Sequence, residues 1–146
     1  MRWVVLLAVL LMIGCAPTNY VGDAADIVKM TDWDDMETVE VSLTEFAFTP
    51  STLTFTSGKP YKLIIKNDGE AKHYFVSDQF FRAIATRKVQ GSDGEIKAPY
   101  FSALELFPGK ELELYFVPVK KGTYSDLLCT IKGHAEEGMV GEIIII

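Results

Sequence analysis

Apolar and polar side chains alternate at Val39, Val41 and Leu43, shift phase across Thr44-Glu45, and resume alternation at Phe46 and Phe48. Period two is the spacing of a strand with one buried face, and the phase shift predicts a bulge in it. Thr49-Pro50-Ser51 predicts a turn, Leu53 and Phe55 a second strand, and Ser57-Gly58-Lys59-Pro60 another turn. Tyr61, Leu63 and Ile65 alternate up to Asn67-Asp68-Gly69, after which His73 and Phe75 share one face of a further strand and Tyr74 and Val76 the other. The period then changes. Ser77 is a helix N-cap residue, Asp78 suits a first turn, and Phe80, Phe81, Ile84 and Val89 supply a partial apolar face, so a helix is predicted over 77–91, ended by Gly91. Strand-like pieces lie within 96–106 around Pro99, and Phe107-Pro108-Gly109-Lys110 turns the chain into the clean alternation of Leu112, Leu114 and Phe116. Lys120-Lys121-Gly122 precedes a strand over 123–129, and the last strand starts near Met139. Many short strands with regular turns predict an all-β fold, a Greek-key β-sandwich with one short helical insertion. The 110 residues of 37–146 suit a single core.

The N-terminus has a different pattern. Arg2 followed by the 11-residue apolar stretch 3–13 has the charged n-region and h-region of a secretory signal, well short of the roughly 20 residues of a membrane span. Leu11-Met12-Ile13-Gly14-Cys15 resembles a bacterial lipobox, in which a small residue precedes a cysteine that is lipidated and becomes the new N-terminus. That resemblance implies cleavage after residue 14 and export. It also implies a lipid anchor on Cys15 that holds the protein on a membrane surface, since each buried methylene contributes about 0.8 kcal/mol and several chains act together. Ala16 after the cysteine favours the outer membrane of a Gram-negative envelope.

Removal of 1–14 takes Arg2 with it, leaving 13 basic against 20 acidic residues, a balance of −7. Such an acidic chain is no nucleic-acid binder. Asp23, Asp26, Asp32, Asp34 and Asp35 crowd 15–36 with Lys29 alone against them, and no helix or strand period is evident there, so this segment is expected to be a flexible solvated tether. Trp33 and Met36 are its candidates for docking on the domain edge. A flexible segment of that length spans about 25 Å root-mean-square.

Two cysteines in an exported protein usually form a disulfide. Here lipidation of Cys15 leaves Cys129 as an unpaired thiol in an oxidising compartment, and metal ligation would protect it by removing the free nucleophile. Cys129-Thr130-Ile131-Lys132-Gly133-His134-Ala135-Glu136-Glu137-Gly138-Met139 sets a thiolate, an imidazole and a thioether at steps of five. The chain has only two histidines, so a second imidazole comes from His73. Singly, each residue has a plainer use: a hydrogen-bonded histidine, a small buried cysteine, a methionine filling the core. Together, two imidazoles, one thiolate and a thioether form a set that copper takes, with Met as weak axial ligand, while zinc takes Met poorly. A Cys/His nucleophile pair is the catalytic alternative, and Met at the third corner fits it less well.

These residues, with Phe46-Ala47-Phe48-Thr49-Pro50, Gly58 and Asn67, make residues 38–146 resemble the cupredoxins, the small blue copper proteins such as plastocyanin, azurin and auracyanin. The resemblance implies one type 1 copper ion held by His73 and His134 through nitrogen, by Cys129 through a short thiolate bond, and by Met139 as a long axial contact. It departs from the family at three places. Lys132 stands where proline often precedes Gly-His, Tyr74 where the first histidine is often followed by Asn, and the predicted helix 77–91 is an insertion. The implied function is that of a one-electron carrier outside the cytoplasm, not an enzyme. It would act as a lipid-anchored monomer with redox proteins as partners, on the periplasmic side of the membrane or at the cell surface. A carrier that sequesters or delivers Cu(I) is the alternative.

Overall fold

The alternation of Val39, Val41 and Leu43 becomes β1 (Glu37–Thr44), in which Val41 and Leu43 are buried. In the computed structural model, which describes residues 20–146, β1 runs parallel to β4 (Tyr61–Asn67) and antiparallel to the short β2 (Ala47–Thr49). The phase shift at Thr44-Glu45 is not a bulge within one strand but the turn between β1 and the antiparallel β2. β4 keeps the alternation of Tyr61, Leu63 and Ile65, all buried, while Ile64 on its other face is buried between the partly exposed Lys62 and Lys66. β9 (Glu111–Pro118) lies beside β4, followed by β6 (Ile84–Gly91) and β7 (Gly94–Ile96), completing a six-stranded sheet ordered β2-β1-β4-β9-β6-β7. The second sheet has five strands: β3 (Thr52–Phe55), β11 (Val140–Ile145), β10 (Gly122–Leu128), β5 (His73–Val76) and β8 (Ala103–Leu106), in that spatial order.

Between the sheets lies an aromatic core. Phe116 of β9 meets Phe55 of β3 edge to face at 5.1 Å and Phe80 at 5.4 Å, all three fully buried. Edge-to-face pairs at such separations add roughly 0.5–1.5 kcal/mol each beyond the area they bury.

Two further expectations are corrected. The helix predicted over 77–91 is only one turn, α2 (Asp78–Phe81). Ser77 does cap it, its Oγ accepting from the Phe80 amide at 3.3 Å, and Asp126 accepts from Ser77 Oγ and the Gln79 amide. Phe80 and Phe81 are both buried, and past Arg82 the chain enters β6, whose backbone groups pair along β9. Ile84, Thr86 and Val89 are β-branched, and a ladder to a central strand outweighs a four-residue apolar spacing that only partly fits a helix.

The tether expectation also fails for the described part of 15–36. Residues 24–30 form α1 (Ala24–Met30), packed on β6 and β9. The Trp33 indole N–H donates to the Val28 carbonyl at 3.1 Å, and the Arg87 guanidinium lies 4.7 Å from the centre of the Trp33 ring. Tyr20 stacks on Tyr100 at 4.4 Å. Aromatic and cation–π anchors hold a segment whose own apolar content is small. The signal sequence and Cys15 lie outside the described residues. Among the described residues no helix is long and apolar enough to cross a membrane.

Candidate metal centre

Three connections meet at one end of the sandwich: the β1–β2 corner, the β4–β5 loop and the β10–β11 loop. Each contributes to one cluster. His73 opens β5, where it pairs with Leu106 of β8 and its side chain is fully buried. Cys129 follows β10, and because Leu128 pairs with Val76 of β5, the thiol arrives beside His73. Cys129 is the free cysteine of the described residues and is fully buried.

The β10–β11 loop turns back on itself by hydrogen bonds of its own backbone. The His134 amide donates to the Ile131 carbonyl at 3.0 Å, Met139 to His134 at 2.9 Å, and Cys129 to Met139 at 3.2 Å. Gly133 (φ +89°) and Gly138 (φ +110°) take conformations that side chains disfavour, and so permit the curl. The consequence is geometric. His134 Nδ1 lies 3.5 Å from Cys129 Sγ, His73 Nδ1 lies 3.9 Å from the same sulfur, and the three donor atoms all fall within 4.8 Å of one another. His134 is half-buried, its ring lying edge-on to Phe46 at 4.9 Å. Met139 is fully buried and tied through its backbone to both Cys129 and His134.

The sulfur has one further partner. The Tyr74 amide donates to Cys129 Sγ at 3.4 Å. A backbone donor serves whatever side chain follows the histidine, so Tyr74 in place of Asn leaves this link intact. The Tyr74 hydroxyl instead donates to Glu105 at 2.9 Å on the surface. Asn67 organises the loop before His73: its side-chain amide donates to the Ala71 and Leu106 carbonyls, and its oxygen accepts from the Gly69 amide.

Sequence reasoning missed Glu45. Its Oε1 accepts from the Ala71 amide at 2.8 Å and lies 3.0 Å from His73 Nε2. The Ala71 amide, helped by the Glu70 amide and His73 and opposed by desolvation, holds this carboxyl down at about 2. The phase shift at Thr44-Glu45 was the one signal pointing to this corner, and it did not say which loop the side chain would reach. Lys132, Glu136 and Glu137 of the metal loop are exposed.

Two imidazoles and a cysteine sulfur, gathered in a mostly buried cluster, fit copper by their donor chemistry. Two such β-sheets with this cluster at one end define a cupredoxin-like copper-binding protein. The chain belongs to that family, since the Cupredoxin-like domain model matches residues 4–145. A relative, the copper-resistant cuproprotein CopI of Rubrivivax gelatinosus, is 26% identical over 88% of this chain and 73% of its own length. Auracyanin from Roseiflexus castenholzii superposes with a TM-score of 0.52 at 22% identity, over 75% of this chain and 96% of that one. The multicopper oxidase of Campylobacter jejuni gives 0.59 at 16% identity, over 80% of this chain, which spans only 31% of the oxidase. These two structural likenesses concern the fold.

Proposed function

We propose that the protein is a one-electron carrier outside the cytoplasm, held at a membrane surface by lipid on Cys15, with redox proteins as partners. The observation that carries this reading is the cluster itself: His73, Cys129 and His134 have their donor atoms within 4.8 Å of one another, in a setting braced by backbone hydrogen bonds. Copper bound there would supply a one-electron couple with type 1 character. The protein's part is to keep the ligands nearly fixed in both oxidation states, which lowers the reorganisation that slows electron transfer. His73 and Cys129 are buried and His134 is half-buried, so the His134 edge is the natural contact for a redox partner. Met139 would be the weak axial ligand, and its surroundings would tune the potential.

A second reading has its own support. The similarity to a protein named for copper resistance favours a periplasmic carrier that sequesters or delivers Cu(I). Copper-loaded protein should show an intense thiolate-to-Cu(II) visible band that Cys129→Ser abolishes, and persistence of the band in that variant would sink the blue-copper assignment. Reduced, loaded protein should then be mixed with an oxidised redox protein and, separately, with a Cu(I) chelator. Fast electron exchange with copper retained supports the carrier. Rapid metal loss without electron exchange supports the second reading. Membrane association that survives Cys15→Ala would refute the lipid anchor.

A further inference from the structure

Glu45 reaches 28 positions along the chain to His73, and three features fix where its carboxylate sits. The Ala71 amide donates to Oε1 at 2.8 Å. His73 Nε2 stands 3.0 Å from the same oxygen, on the side of the ring away from Nδ1, which faces Cys129. Gly69 leaves the space: a Cβ there would come within 2.6 Å of Oε1 and 2.7 Å of Oε2. The loop before His73 is therefore shaped around this side chain, and Asn67 braces the same loop from within.

We infer that Glu45 is a positioning residue for His73, which holds the imidazole as the Nε2–H tautomer and biases the site toward the more highly charged copper ion. An ionised carboxylate only accepts hydrogen bonds, so the hydrogen of the pair sits on Nε2, and the lone pair of a neutral ring is left on Nδ1, beside the sulfur. A carboxylate behind a ligating imidazole also raises the basicity of the ring, and outer partners of this kind are typically worth about 10- to 100-fold in metal affinity. Negative charge favours Cu(II) over Cu(I), so the preference should move with the charge on residue 45.

The inference rests on His73 being a copper ligand, but its first measurement needs no metal. Long-range ¹H–¹⁵N spectra of the metal-free protein should show His73 as the Nε2–H tautomer. Glu45→Ala should turn that signal into a mixture. Gly69→Ala, which displaces the carboxylate without deleting it, should do the same and serves as the second variant if Glu45→Ala folds poorly. Glu45→Gln retains an acceptor and removes the charge. It should keep the tautomer yet lower the Cu(II)-over-Cu(I) affinity ratio about tenfold, which corresponds to a rise of about 59 mV in potential. An Nδ1–H tautomer in the unsubstituted protein, or a tautomer unmoved by both Glu45→Ala and Gly69→Ala, would overturn the positioning role. An unchanged affinity ratio in Glu45→Gln would overturn the charge bias. If the unsubstituted protein never develops the thiolate band, the copper reading fails while the tautomer result stands by itself.

Discussion

The Tyr74 amide and the Cys129 sulfur, 55 positions apart in the chain, share a hydrogen bond of 3.4 Å. That bond joins the start of β5 to the end of β10 directly at the cluster of His73, Cys129 and His134. Because the donor is backbone, the side chain at 74 is free to differ from the family's usual residue. Tyr74→Phe should leave the visible band of the copper-loaded protein in place and cost no more than about 1 kcal/mol, the usual net worth of one hydrogen bond, in this case to exposed Glu105. Tyr74→Pro, which deletes the amide hydrogen, should shift the band.

Phe80 shows what the one-turn helix does for stability. Its ring is fully buried between Phe55 and Phe116, so Phe80→Ala should cost about 3–5 kcal/mol and lower the denaturant midpoint without changing the ligand set.

Gly138, at φ +110°, sits where the metal loop turns toward Met139. Gly138→Ala should cost on the order of 1–3 kcal/mol in strain and weaken copper binding, because relief of that strain pulls on the His134 to Met139 hydrogen bond. Melting of the metal-free protein and a copper titration would separate the two effects.

Trp33 tests the anchoring of the N-terminal segment. Trp33→Ala removes the Arg87 stacking contact and the hydrogen bond to Val28, so amide exchange in α1 should accelerate while the core strands stay protected. The expected loss of stability is small, about 1 kcal/mol.

Tyr115 supplies a pH signature remote from the metal. Burial first, and its hydrogen bond to Glu113 second, push its phenol up to about 12. The folded state holds this proton more tightly than the unfolded chain does. Its stabilising contribution is therefore complete below the ordinary tyrosine value near 10 and is lost as pH rises from there through about 12. Phenolate absorbance should show a late-titrating group that disappears in Tyr115→Phe.

Much of the β framework was legible because period two is a local property: Leu63, Leu114 and Phe116 alternate in sequence and lie in the core. His73, Cys129 and His134, which meet in one cluster, were legible because the chain has only two histidines and two cysteines. Residues 84–91 were not, since their spacing was compatible with either period and pairing with β9 decided between them. Nor was the segment before β1, whose acidic composition suggested solvation although Tyr20 and Trp33 find partners far along the chain in Tyr100 and Arg87.

Glu45 marks the boundary between the two sources. The sequence by itself determined the strand pattern, the glycines that permit the loop to curl, and the candidates His73, Cys129 and His134 that the fold gathers into one cluster, because period, backbone freedom and donor chemistry belong to residues. Tertiary structure alone decided which of twenty acidic residues stands behind the buried imidazole. Carboxylates are common on any soluble surface, and only the meeting of the β1–β2 corner with the Gly69 loop brings this one to His73.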